Sequence, residues 1–351
     1  MTDHQMPRGA DLGPTSQAGF AAFQQGVDPA PEQIDAQTYC FNTPAFEGGI
    51  VTSTFCYVLA GENGAAHLID PGMNSDRGWQ RLREALDLWG FTSVASVVVT
   101  HMHLDHVGMA ERVRQEWGAP LIAGSTEWQT YLDTPTQAER NDRYDQWGVP
   151  VDRRPVMPPA LAAGYTAGNM PLQHPESPPD RLVDDGAVLD LGRPVTVMLT
   201  PGHTDGGLTL RDDAHRLIVV GDEVLPNIHT GLGLDYDPLG DPVGDYLDGA
   251  QRLADYDGYE VGPGHGFRFT QLGLRLRQTS TRHLRRSREL ADALAKHPDD
   301  SVWQLAQRLS WGHGFDNLEG YFLNSALQQT AMHLTFVRSS RAQRWLDSTQ
   351  L

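Results

Sequence analysis

The stretch THMHLDHVG, Thr100 to Gly108, places three histidines and an aspartate within six consecutive positions, directly after the apolar run Val97 to Val99. SVASVVVT is rich in β-branched residues and reads as a strand, and VGMAERVRQEWG has helical spacing up to Gly118. The cluster therefore falls in a strand-to-helix turn. In an extended segment residues two apart point to one side, so His101, His103 and Asp105 are expected to share a face. A helix starting near Val107 would turn His106 away. One short segment could thus serve two neighbouring metals. Given 14 histidines in 351 residues, the pattern HxHxDH should arise by accident in roughly one such chain in a thousand.

Working outward, TYCF, TSTFCYVLAG and AAHLIDPG are short apolar runs closed by turn residues, which predicts a β-meander. SDRGWQRLREALDLWG carries apolar residues at Trp79, Leu82, Ala85, Leu86 and Trp89 with Gly90 behind them, the spacing of a helix. Further on, DGAVLDLG, VTVMLTPGH, LTLRDDAHRLIVVGDEV and YEVGPGHG read as four strand units, three of which end in His203, Asp222 and His265. Repeatedly, a strand ends in a candidate ligand. Together with His101, His103, Asp105 and His106 these make seven N/O ligands, enough for two metals. Imidazole and carboxylate without thiolate fit zinc first, with iron or manganese also admissible.

THMHLDH, TPGHTDG, GDEV and GPGHG, in this order after LIDPG, resemble the metallo-β-lactamase superfamily over residues 36 to 268. The resemblance implies a four-layer αββα sandwich with His101, His103 and His203 on one metal, Asp105, His106 and His265 on the other, and Asp222 bridging both. It implies a supporting role for Asp70 behind the ligands, and Asp105 as the group that orients the attacking water. True β-lactamases of the superfamily lack the bridging aspartate, so Asp222 makes the chain look like the glyoxalase II type. The flavodiiron branch has a glutamate where this chain has His103. The tail, with HLRRSRELADAL, SVWQLAQRLSW and LNSALQQTAMHLTFV, is similar to a winged-helix-like C-terminal domain attached to some of these hydrolases.

The expected organisation is an extended or disordered N-terminal arm over 1–35, a catalytic domain over 36–270 with an insertion at 125–180 that holds a polar helical stretch around Gln137 to Trp147 and then Pro-dense irregular text, and an α-rich appendage over 271–351. The insertion, with apolar Met157, Leu161, Tyr165, Met170 and Leu172 in Pro-rich text, is expected to wall the substrate pocket, with a homodimer contact as the alternative. The expected reaction is hydrolysis of an ester or thioester, of acyl-glutathione, acyl-CoA or lactone type, by a hydroxide shared between two zinc ions. The rival readings are a mononuclear iron persulfide dioxygenase, which would leave part of the ligand set idle, and a metal-dependent phosphodiesterase or RNase. His229 in LPNIHT is a candidate acid or substrate contact.

The 45 acidic against 27 basic residues give a formal charge of −18, which argues against nucleic acid and anionic membrane as partners. Residues 271–351 hold 11 basic and 7 acidic side chains, about +4, with RHLRRSR the one basic run. Cys40 and Cys56 lack metal-type spacing and read as core residues; with no signal-type or membrane-type apolar segment, a cytoplasmic protein is expected.

Overall fold

A computed structural model describes residues 9–45, 51–133, 137–155, 177–233, 240–312 and 314–347. After helix α1 (Gln17–Gln25), strands β1 (Glu32–Asp35), β2 (Thr38–Pro44), β3 (Ser53–Ala60), β4 (Ala65–Ile69), β5 (Ser93–Val98), β6 (Leu121–Gly124) and β7 (Arg181–Val183) form one sheet in chain order. The first four are antiparallel and β4 to β7 run parallel. The parallel part carries helical crossovers, α2 (Asp76–Leu88) before β5, then α3 (Leu104–Val107) and α4 (Ala110–Trp117) before β6, as parallel pairing requires. A second sheet holds β8 (Val188–Asp190), β9 (Pro194–Leu199), β10 (Leu208–Asp212), β11 (Leu217–Gly221) and β12 (Glu260–Pro263), of which β11 and β12 are parallel.

Strand alternation builds the layers. Along β3, Phe55, Tyr57 and Leu59 face the second sheet and pack with Val195, Val197, Leu210 and Val219. Cys56 and Val58 face outward onto Leu82, Ala85 and Leu86 of α2 and Ala110 and Val113 of α4. In β11, Leu217 and Val219 point between the sheets. Ile218 and Val220 point outward to Tyr246 and Leu247 of α7 (Pro242–Leu253) and to Leu272 and Leu276 of α8 (Leu272–Lys296). Each fully buried Val or Leu contributes roughly 1.5–3 kcal/mol. The result is the αββα sandwich. The meander and the helix over 76–88 are observed, with Ser75 accepting from Gly78 N at 3.0 Å to start the helix and Gly118 (φ 66°) ending α4.

Several expectations are corrected. Residues 9–35 are not an extended arm. Ser16 caps α1, Phe20 meets Phe267 edge-on and Phe23 packs against it tilted, and β1 joins the sheet, its Glu32 paired with Arg268. LTLRDDAHRLIVVGDEV is a hairpin of β10 and β11 rather than one strand, turning at Arg216 with φ 50°. Of the insertion, α6 (Gln137–Gln146) is the expected polar helix, and α5 (Ser125–Leu132) is a further regular helix before it. Met157, Leu161, Tyr165, Met170 and Leu172 lie outside the described residues.

The tail is α-rich as expected: α8 is followed by α9 (Val302–Arg308), α10 (Gly320–Arg338) and α11 (Ser340–Leu346), with no strand among its described residues. It is not set apart from the sandwich. Leu284, Met332, Phe336 and Trp345 share one apolar core with β11 and α7, and α6 joins the tail through Tyr144 and Trp147 beside Trp303 and Leu327. Among the described residues no helix is long and apolar enough to cross a membrane.

Candidate metal centre

The turn after β5 departs from the extended geometry that the sequence suggested. A helical turn begins at Leu104, so Asp105 leaves the His101–His103 side and turns with His106 toward His265. Three groups of ligand atoms result, each within 4.8 Å: His101, His103 and His203; His101, His106 and Asp222; Asp105, His106 and His265. All seven candidate ligands come together. Their carriers are the ends of β5, β9, β11 and β12, four strands of two sheets opening on one rim.

Hydrogen bonds on the far side of each ring fix which nitrogen faces inward. His203 Nδ1 lies 2.7 Å from the carbonyl of Gly231 and His265 Nδ1 lies 2.7 Å from that of Ser53. His106 Nδ1 lies 2.9 Å from Asp70 Oδ2. A carbonyl can only accept, so for His203 and His265 the Nδ1 carries a proton, as it does for His106 against a carboxylate oxygen, and Nε2 is presented to the centre. There His101 Nε2 and His203 Nε2 stand 2.9 and 3.1 Å from His103 Nδ1. On the other side His265 Nε2 is 3.3 Å from Asp105 and 3.2 Å from Asp222.

Asp70, at φ 53°, accepts from Thr100 N at 2.7 Å and Thr100 Oγ1 at 2.6 Å besides holding His106, so it ties the ligand turn to β4. Glu127, at the start of α5, was not indicated by the sequence. It accepts from Met102 N (2.8 Å), Thr204 Oγ1 (2.8 Å) and Gly206 N (3.0 Å), joining the His101–His103 turn to the His203 turn. Burial pushes its carboxyl up, opposed by those three donors. Thr230 bonds both the Asp222 carbonyl and His203 Nδ1. The GPGHG glycines are needed for close approach: a Cβ on Gly264 would sit 2.3 Å from Asp222 Oδ1 and 2.6 Å from His106 Cε1. No local pattern marks Glu127 or Thr230, whose partners are remote in sequence.

The electrostatics fit a cation. Burial alone would raise the carboxyls of Asp105 and Asp222, yet the neighbouring His106 and His265 hold both well below the usual carboxylate range. Burial disfavours charge on His106 and His265, but Asp222 and Asp105 reverse this, raising His265 to about 10. His101 and His203 go the other way, pushed down by burial and by the adjacent imidazoles, His203 to about 4. One half of the cluster thus offers neutral imidazoles and the other demands positive charge. His106 Nε2 and Asp222 Oδ1, 3.4 Å apart and buried, have no hydrogen-bond partner, the state expected of atoms that complete a metal site.

His229 does not join this cluster. Its ring meets Thr279 of α8 at 3.2 Å, and burial together with Arg275, Arg282 and Arg285 lowers its pKa to about 3. It is therefore a neutral side chain against the C-terminal helix.

A sequence model of the metallo-beta-lactamase superfamily matches residues 49–265. Acyl-coenzyme A thioesterase MBLAC2 of Gallus gallus is 32% identical over 157 residues, 44% of this chain and about half (49%) of that protein's length. Hydroxyacylglutathione hydrolase GloC of Haemophilus influenzae is 29% identical over 191 residues, 53% of this chain and 72% of that protein. A beta-lactamase domain protein from Burkholderia ambifaria superposes with a TM-score of 0.76 at 20% identity, covering 94% of this chain and 93% of the other, which shows a shared fold.

Proposed function

This chain belongs to the metallo-beta-lactamase superfamily, and from that premise we propose that it is a binuclear zinc hydrolase of esters or thioesters. The single observation that carries the reading is the convergence of seven ligating side chains into three overlapping groups, with Asp222 Oδ2 3.7 Å from His203 Nε2 and 3.2 Å from His265 Nε2 and with partnerless buried ligand atoms among them. His101, His103 and His203 would hold one ion, Asp105, His106 and His265 the other, with Asp222 reaching both. When bound, such a pair supplies Lewis acidity toward a carbonyl oxygen and lowers the pKa of water toward neutrality.

The protein's own groups then have defined tasks. Asp105, held ionised by His106 and His265, has a carboxylate oxygen that can accept a hydrogen bond from the attacking water and orient it. Asp70, Gly231 and Ser53 fix the rings of His106, His203 and His265. Among the described residues His229 is neutral and committed to Thr279, so it is not placed as a general acid. A thiolate leaves without protonation whereas an amine or alkoxide needs help, which favours a thioester. The names of MBLAC2 and GloC support the same substrate class. A full set of ligands also favours hydrolysis over a single-iron dioxygenase.

Elemental analysis of purified protein is expected to find close to two zinc ions per chain, with thioester hydrolysis lost to a chelator and restored by zinc. Asp222→Ala is expected to retain at most one ion and to lose at least about 100-fold in rate. One tightly held iron, or normal turnover by the Asp222 variant with both metals kept, would overturn the assignment.

A further inference from the structure

A cavity of about 200 Å³ lies between α6, the loop that follows Asp222, and helices α9 and α10. Leu232, Met332 and Leu334 give it an apolar wall, Trp147 lines it beside Arg143, and among the described residues its charged lining residues are Arg143 and Arg338. The wall is continuous with the metal centre. Gly231, one residue before Leu232, accepts from His203 Nδ1, and Gly233 N donates to Gly202 O at 2.9 Å, so the backbone that orients His203 also borders the cavity.

We propose that this cavity binds an anionic chain: the part of the substrate that combines an apolar segment with a terminal carboxylate, sulfonate or phosphate. The proposal rests on the hydrolase reading above and specifies its substrate. Charge supports it. In a chain of net −18, an anion is repelled at long range and needs local cations to settle. On the same tail, Arg341 is paired with Asp241, Asp245 and Asp248, and Arg344 with Asp248. Arg338, one turn earlier, is exposed, makes no ion pair among the described residues, and lines the cavity. Space supports it too, since a cavity of about 200 Å³ has room for a short chain and not merely a single water. An apolar pocket with a few placed polar groups is the usual form of a small-molecule site.

The source of the anion can be either the acyl part or the thiol carrier, and three thioesters separate these. One carries an ω-carboxyacyl group on ethanethiol, one a neutral acyl group on mercaptoethanesulfonate, and one is neutral on both sides. On the metal-loaded protein one anionic ester is expected to exceed the neutral one by about tenfold in kcat/KM, a ratio that Arg338→Met brings near one and Arg338→Lys preserves. Ala331→Trp, which fills the cavity, should also remove the preference, with metal content measured in each variant as the check on folding. Calorimetry with hexanesulfonate, a poor metal ligand, against hexanol gives a readout independent of turnover. Binding of the sulfonate that weakens with salt and in Arg338→Met supports the proposal. Equal affinity for hexanol and hexanesulfonate, or thioester turnover with no preference for charge, overturns it. Hydrolysis of none of the three esters while hexanesulfonate still binds through Arg338 would instead overturn the thioesterase reading and leave the anion site standing.

Discussion

Glu127 shows how much of the centre depends on residues that bind no ligand themselves. Its two oxygens take three hydrogen bonds, from Met102 N, Thr204 Oγ1 and Gly206 N, and so hold together two turns that carry ligands from different sheets. It is 4% exposed, so truncation leaves two backbone donors without a partner, each costing roughly 1–3 kcal/mol. Glu127→Ala is expected to weaken metal affinity by about 10- to 100-fold, as loss of a supporting partner does in other metal sites. A chelator competition titration measures this. Unchanged affinity would show that packing alone holds the two turns. Cys40 and Cys56 are by contrast buried core thiols, Cys40 pushed up to about 12 by burial, and neither approaches the ligand cluster.

Helix α8 makes the corresponding contribution as an element. Its Arg275 is fully buried without a carboxylate partner, donates from Nε to Leu225 O at 2.6 Å, and grips Ile228 O and Gln278 with the other nitrogens. Burial lowers its pKa only to about 10, so it remains charged at neutral pH. Both carbonyls lie on the loop that runs from Asp222 to Thr230, so a helix of the tail clamps the backbone between Asp222 and the threonine beside His203. Arg275→Met should leave both carbonyls unpaired, lowering Tm by on the order of 5 °C and weakening retention of metal. Calorimetric unfolding with and without chelator separates the effects: an equal drop in both would make Arg275 a purely structural residue, and a larger drop in the metal-loaded protein would make it a positioning residue for the centre.

At the scale of the molecule, charge is distributed so that the basic run of the tail is largely used internally. In RHLRRSR, His283 and Ser287 are buried, Arg286 lies over Trp311 at 4.3 Å and bonds Glu289 and Ser310 O, and Arg288 bonds Leu346 O. Arg282 and Arg285 are left exposed on a protein of net −18. So short a basic patch on a strongly acidic protein releases few counterions, so neither duplex nor single-stranded nucleic acid should bind measurably at physiological salt. A fluorescence anisotropy titration tests this. Sub-micromolar, steeply salt-dependent binding lost in Arg282→Ala with Arg285→Ala would contradict it.

The candidate ligand set was legible in the sequence by itself, and so, through the family resemblance its motifs carry, was the layer architecture. Ligating residue types in fixed order at strand ends do not depend on remote contacts, and the continuous apolar runs in LIVVG and STFCYVLA mark strands covered on both faces. What local text could not supply was decided by tertiary packing. Asp105 turns toward His265 because the chain coils at Leu104, three residues before the helix start that spacing suggested. The polar N-terminal segment becomes α1 and β1 because Phe267 and Arg268, more than 200 residues away, give it an apolar surface and an ion pair. Glu127 and Arg275 acquire their roles from carbonyls and amides on other elements, and the boundary expected at residue 270 dissolves because Leu272 and Leu276 are buried in the same core as β11. Composition and periodicity report which face a residue hides, but the partner it meets there is a property of the folded chain.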